Sequence, residues 1–249
     1  MHASQAIAAD YAVLAFLIFY TLAEWRWIWP RFVRAIRDGV MGARKNAYIY
    51  TFIELWVFTL CVLTVWVMQR RPWHELWLGG ATALRFSLGC LLALIVIAFF
   101  VLQGQKVQKA LARPKAVARL REKLASADSI SPQTASDRHW FWLLSITAGI
   151  CEEIIFRGFL MWLISVWTGV IFAAIISSVI FGLEHLYLGV AQVPRITLLG
   201  LGFVIVVLIS GSLLPAMVIH AAMDLSSGEI GFRVTQASLA TTAVPPLTS

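Results

Sequence analysis

Uncharged apolar runs about as long as a bilayer is thick are the feature that most restricts what this chain can fold into. A helix needs roughly 20 predominantly apolar residues to cross the hydrocarbon core. Four runs reach that length clearly, near Ala8 to Trp29, Tyr48 to Met68, Leu84 to Gln103 and Trp140 to Ile164. Further runs cover about Trp167 to Leu188 and Ile196 to Ser210, and a shorter one from Leu213 to Ile230 contains His220 and Asp224. In lipid every backbone polar group must be satisfied within the chain, so such runs become helices. The expected fold is therefore all-α, a polytopic transmembrane helix bundle of about seven to eight membrane-embedded segments.

Composition agrees with that expectation. The chain is 60% hydrophobic and only 13% charged, with eleven Trp and fifteen Phe in 249 residues, and its mean hydropathy is +0.81. One soluble core of this size would struggle to bury so many aromatics, whereas a bundle turns them toward acyl chains or the interface. The net charge of +7 does not signal nucleic acid, because the basic residues flank apolar runs. Arg31, Arg34, Arg37, Arg44 and Lys45 follow the first run; Lys106, Lys109, Arg113, Lys115, Arg119, Arg121 and Lys123 follow the third. Both stretches read as cytoplasmic loops of a multi-pass protein of the cell membrane. That orientation puts the N-terminus outside and, with seven spans, the C-terminus in the cytoplasm; Arg70 and Arg71 then sit awkwardly in an outer loop. With no Lys or Arg before Arg26, the first run lacks the charged start of a cleaved signal and reads as a retained helix. Cys61, Cys90 and Cys151 lie inside apolar runs without metal-type spacing and read as small core residues.

Four regions follow from these patterns. Residues 1–105 hold the N-terminal transmembrane helices. Residues 106–138 form a basic cytoplasmic segment, an amphipathic helix with Val107, Leu111, Leu120 and Leu124 on its apolar side followed by a Ser-Pro linker, suited to anionic lipid headgroups. Residues 139–232 form the core carrying the polar groups, and residues 233–249 an uncharged-ended tail expected to be disordered. No internal repeat is evident.

Ionisable side chains at bilayer depth cost about 2.5–3.5 kcal/mol each on insertion scales, so they need partners or water. Three clusters break the apolar pattern. In Cys151-Glu152-Glu153-Ile154-Ile155-Phe156-Arg157-Gly158, Glu153 and Arg157 are four apart on one helix face and form a carboxylate–guanidinium pair. Glu152 is rotated by about 100° and is left available for chemistry. In Phe181-Gly182-Leu183-Glu184-His185, Phe181 and His185 share a face. In His220-Ala221-Ala222-Met223-Asp224, an imidazole and a carboxylate share a face, with small residues that let a neighbouring helix come close. A buried carboxylate that takes a proton from water, with imidazoles near a developing oxyanion, suits hydrolysis. Asp224 would be able to orient His220 and fix its tautomer. No Gly-x-Ser-x-Gly nucleophile context is present. Glu184, on another face of its helix, reads as a residue at the membrane edge without a catalytic role, and the spacing assigns none to Glu54.

At these residues the chain resembles the CAAX protease and bacteriocin-processing family, also called the Abi family, of glutamic-type intramembrane endopeptidases. The family pattern Glu-Glu-x-x-x-Arg falls on Glu152, Glu153 and Arg157, Phe-x-x-x-His on Phe181 and His185, and His-x-x-x-Asn/Asp on His220 and Asp224. The likeness covers about Trp140 to Ile230. It implies that Glu152 is the general base, assisted by His185, that His220 and Asp224 bind the oxyanion, and that Glu153, Arg157 and Phe181 support the site. Asp224 stands where eukaryotic members commonly have Asn. An ionised Asp opposes an oxyanion, so it stays protonated, pairs with an imidazolium or mainly orients.

The resemblance implies a substrate that is a membrane-associated protein or peptide, with membrane lipid around it; no cofactor is favoured, although the family has been described in both metal-dependent and glutamate-dependent terms. Processing of prenylated CAAX ends, peptides or sorting signals is all compatible. Three rival readings stay open. One is a zinc-dependent version using His185, His220 and Glu152 or Asp224, without the usual His-Glu-x-x-His signature. Another is a proton-coupled transporter. The third is a non-catalytic immunity or binding protein of the membrane.

Overall fold

The computed structural model describes residues 5–128 and 130–242. Among the described residues 86% are helical and none is in a strand. Helix α1 (Ala8–Arg37) contains a π-helical turn at Glu24–Ile28. It is followed by α2 (Ala43–Met68), α3 (Ala83–Ala110) and the short α4 (Pro114–Lys123). Helix α5 is continuous through Ala135–Glu152, a π-helical Glu153–Leu160 and Met161–Thr168. Then come α6 (Val170–Glu184), α7 (Val193–Ser210) and α8 (Leu213–Thr242). Helices α1, α2 and α3, and α7 with the turn before it, are long and apolar enough to cross a membrane, and α6 is a shorter apolar helix. Helices α5 and α8 match them in length but carry the charged residues singled out above. The protein is an all-α helical membrane bundle.

Two expected boundaries move. The amphipathic segment is two helices rather than one, because Pro114 has no N–H to continue a ladder and starts α4 instead; Val107 belongs to the end of α3, and the buried residue of α4 is Val117. The tail expected to be disordered from residue 233 is helical as far as Thr242. Long-range contacts hold it there: Val234 is buried, Arg233 Nη1 donates to Gln108 Oε1 at 2.8 Å, and Gln236 donates to the Gln133 carbonyl at 2.8 Å. Residues 243–249 of that tail lie outside the described residues.

Three registers bring the polar clusters together. Helix α1 runs antiparallel to α2, with Phe16 edge-on to Phe58. Beyond that contact Arg71 donates to both oxygens of Asp10 at 2.6 Å. This buried pair lies over Trp66 and Trp162, so Arg71, in the loop after α2, is neutralised inside the fold. Helix α2 runs parallel to α5, as the Tyr48–Phe141 and Trp66–Trp162 contacts show. Helix α5, capped by the Thr134 hydroxyl and Asp137, runs antiparallel to α8. Arg138 pairs with Glu229 at 2.8 Å, the Phe141 ring fills the space beside Gly228, and Gly149 lies against Ala221. A Cβ on Gly149 would come within 2.8 Å of the Ala221 nitrogen and the Met217 carbonyl. The absence of a side chain there is what permits the two helices to approach.

Candidate active site

Glu152 ends the first α-helical part of α5, and Glu153 opens its π-helical part. A π-helical stretch carries its hydrogen bonds one residue further along the chain, and such stretches are frequent at functional sites. Ser177 of α6 steadies this one by donating its hydroxyl to the Phe156 carbonyl at 2.6 Å.

One oxygen organises the interior. Glu153 Oε1 accepts from Arg157 Nη1 at 3.0 Å and from His220 Nδ1 at 2.9 Å, and the Glu153 and Arg157 side chains are fully buried. The Arg157 guanidinium also lies 4.1 Å from the Phe181 ring centre and 5.1 Å from that of Phe203. These ring faces attract the cation in a site where its Nε and Nη2 have no hydrogen-bond partner among the described residues. The Phe203 ring in turn stacks on His220 at 4.8 Å, 16° from parallel. His220 is thus gripped on its face by α7 and at Nδ1 by α5.

The other nitrogen of His220 faces two carboxyl groups. Its Nε2 is 3.8 Å from Glu152 Oε2 and 3.6 Å from Asp224 Oδ2. The orienting partner of His220 is therefore Glu153 and not Asp224, which shares the Nε2 side with Glu152. Glu152 Oε2 is itself buried and accepts no hydrogen bond from any described residue.

His185 reaches the same place from α6. Its Nδ1–H donates to the Phe181 carbonyl at 2.8 Å, which leaves Nε2 as the nitrogen available to a substrate or water. Both imidazoles pack against the Phe181 ring, His185 at 4.8 Å and His220 at 5.9 Å between centroids. No break in α8 is needed to bring His220 level with Glu152 and Glu153. Helix α8 is unbroken, and its antiparallel register against α5 sets Gly149, one turn before Glu153, opposite Ala221, the neighbour of His220.

All five of Glu152, Phe181, His185, His220 and Asp224 line a single cavity of about 570 Å³ between α1, α2 and α5 to α8. Glu24, Glu54 and Glu184 line it too. Glu184, read from its helix face as a membrane-edge residue, instead faces the cavity and is bonded to Thr21 of α1, while Glu24 and Glu54 share a hydrogen bond. Phe203 and Glu24 were missed because each takes its place through a neighbouring helix. The only hint of Phe203 was its position beside Gly200 and Gly202, where α7 can be approached closely.

Among the described residues no group of three or more His, Cys, Asp or Glu side chains is arranged to hold a metal ion. Each imidazole has Nδ1 bonded within the protein and Nε2 left open.

Residues 134–226 match the family model for Rce1-like proteins, described as Type II CAAX prenyl endopeptidase Rce1-like. No curated protein and no solved structure matches the chain. The match begins at the Thr134 cap of α5, ends two residues past Asp224, and takes in every side chain assembled above except those of α1 and α2. Segment 134–226 of this multi-pass membrane protein is therefore similar to Rce1-like proteins, described as Type II CAAX prenyl endopeptidase Rce1-like.

Proposed function

We propose that the chain is an intramembrane endopeptidase that hydrolyses a peptide bond of a membrane-associated protein or peptide with water activated by Glu152. The observation that carries this reading is the free, buried Glu152 oxygen on the cavity wall, facing the Nε2 side of a histidine oriented from behind.

Glu152 takes a proton from water as the oxygen attacks the scissile carbonyl carbon, and the carbonyl oxygen becomes the oxyanion. A His220 ring protonated at both nitrogens donates Nδ1–H to Glu153 and Nε2–H toward that oxyanion, with His185 beside it. The intermediate then collapses, and the proton held by Glu152 passes to the leaving amine. Asp224, 3.6 Å from the same Nε2, balances the protonated ring, which fits an ionised carboxylate better than direct contact with an oxyanion. Glu153, Arg157 and Phe181 hold the frame. The basic ends of α1 and α4, and the C-terminal end of α8, which Arg121 touches through Ser238, gather at one end of the bundle. The positive-inside rule makes that end cytoplasmic and the N-terminus external.

A decisive test compares membranes containing the wild type or Glu152→Ala by mass spectrometry of C-terminal peptides, together with purified protein in nanodiscs and a farnesylated peptide with a CAAX end, with and without its prenyl group. Peptides that accumulate uncleaved with Glu152→Ala support the reading. Unchanged cleavage by folded Glu152→Ala, His185→Ala and His220→Ala sinks it. Glu24, Glu54 and Glu184 on the same cavity wall favour a proton relay as the second reading; proton flux into proteoliposomes that is lost in Glu54→Gln, without any peptide cleavage, would select it.

A further inference from the structure

His185 sits where its helix stops. It is the C-cap of α6, and the chain leaves it through the 3-10 turn Leu186–Leu188 into Gly189, whose φ of 103° ends any helical continuation. Within α6 its ring is held by one hydrogen bond at Nδ1 and by the tilted contact with Phe181. Beyond the helix end Tyr187 stacks on it at 5.7 Å and 28°.

Tyr187 is held in turn from outside this half of the protein. Trp29 of α1 packs on it at 4.9 Å, one residue beyond the π-helical turn Glu24–Ile28. The rest of the seam between α1 and the site-bearing helices is closed by isolated side-chain contacts. Trp167 Nε1 donates to the Tyr11 hydroxyl at 2.9 Å, and Thr21 meets Glu184. Helix α1 otherwise packs on α2. Trp29 and Tyr187 also line the cavity.

We infer that Tyr187 is a positioning residue for His185 and that Trp29 makes this positioning depend on the seating of α1. The inference rests on the proposed role of His185 for its consequence in catalysis, though not for its geometry. Displacement of α1 by an entering segment removes Trp29 from Tyr187, uncovers the imidazole and loosens it; reseating α1 restores the stack. The helix farthest in sequence from the motifs thereby decides when the site is complete.

Ethoxyformylation of His185 by diethylpyrocarbonate, followed by mass spectrometry on the full chain in nanodiscs, reads that cover without any substrate. Tyr187→Ala should raise the labelling rate of His185 about three- to tenfold, the factor carried by one aromatic pair. Tyr187→Phe should label as the wild type does, because the ring remains. Trp29→Ala should raise the rate in the same direction, and the double variant should not exceed Tyr187→Ala alone. With the farnesylated peptide, Tyr187→Ala should lower kcat by a similar factor and leave KM within about twofold, with rescue by Tyr187→Phe. A Tyr187→Ala rate equal to wild type overturns the inference, as does a Tyr187→Phe rate equal to that of the alanine variant. Additive effects of the two alanines break the dependence on α1. If His185→Ala itself cleaves normally, the proposed protease mechanism fails while the labelling result still decides the stack.

Discussion

Helices α3 and α5 have similar apolar lengths and opposite uses for their surfaces. Helix α3 buries only Gly89 and Ala93 and turns Leu84, Leu88, Leu91, Leu94 and Ile95 outward. Helix α5 buries Ser145, Thr147, Glu153 and Arg157 and is enclosed by α2, α6 and α8. The first needs lipid and little else. The second tolerates charge at bilayer depth because each charged group has an ion-pair, ring-face or backbone partner on a neighbouring helix. Apolarity therefore marks the periphery of this protein, and the segments least like ordinary spans mark its working centre.

The comparison breaks if a change in the centre is as harmless as one at the periphery. The largest effect is expected for Glu152→Ala, a fall of about 10²–10⁴ in kcat with unfolding in detergent close to wild type; peptide cleavage and denaturant titration together measure both. Next comes Glu153→Ala, which strands the buried Arg157 and releases His220. It should cost about 3–5 kcal/mol in unfolding free energy and lower kcat by a smaller factor than Glu152→Ala, whereas Glu153→Leu with Arg157→Met should recover much of the stability and none of the activity.

Breaking the other buried pair separates stability from function. Asp10→Ala leaves Arg71 uncompensated and should cost a comparable ~3–5 kcal/mol, yet the folded fraction should cleave at a kcat within about twofold of wild type. Gly149→Ala forces α5 from α8 and should destabilise by about 1–3 kcal/mol, with a further loss of kcat per folded molecule because His220 moves with α8. Leu94→Ala on α3 should stay within about 0.5 kcal/mol and leave cleavage unchanged. A large effect there would mean that α3 faces protein and not lipid.

Much of this was legible in the sequence, and its limits have a physical pattern. Helix identity and the pairing of Glu153 with Arg157 depend on spacing within one helix, which the sequence states directly. The availability of Glu152 followed from the 100° between neighbouring residues. What remained hidden depends on register between helices. The grip of Glu153 on His220, the Phe203 stack and the Asp10–Arg71 clamp join residues from 17 to 67 positions apart, and no local periodicity encodes them. The misreading of Glu184 has the same origin, since the face of a helix says nothing about what stands opposite. The helical stretch up to Thr242 was missed because its composition suits disorder, whereas contacts with Gln133 and Arg121 hold it.

The antiparallel seating of α5 on α8 acts as a vernier. Contacts at Arg138–Glu229, Phe141–Gly228 and Gly149–Ala221 read the same alignment at three points over more than ten residues. One residue inserted between Ala222 and Gly228 would shift one side of the scale by ~1.5 Å and turn it by ~100°, so the outer marks and the histidine could not both stay in register. Errors in α8 far from any reacting atom are thereby converted into errors at His220. Length, as much as side-chain identity, is specified in this helix.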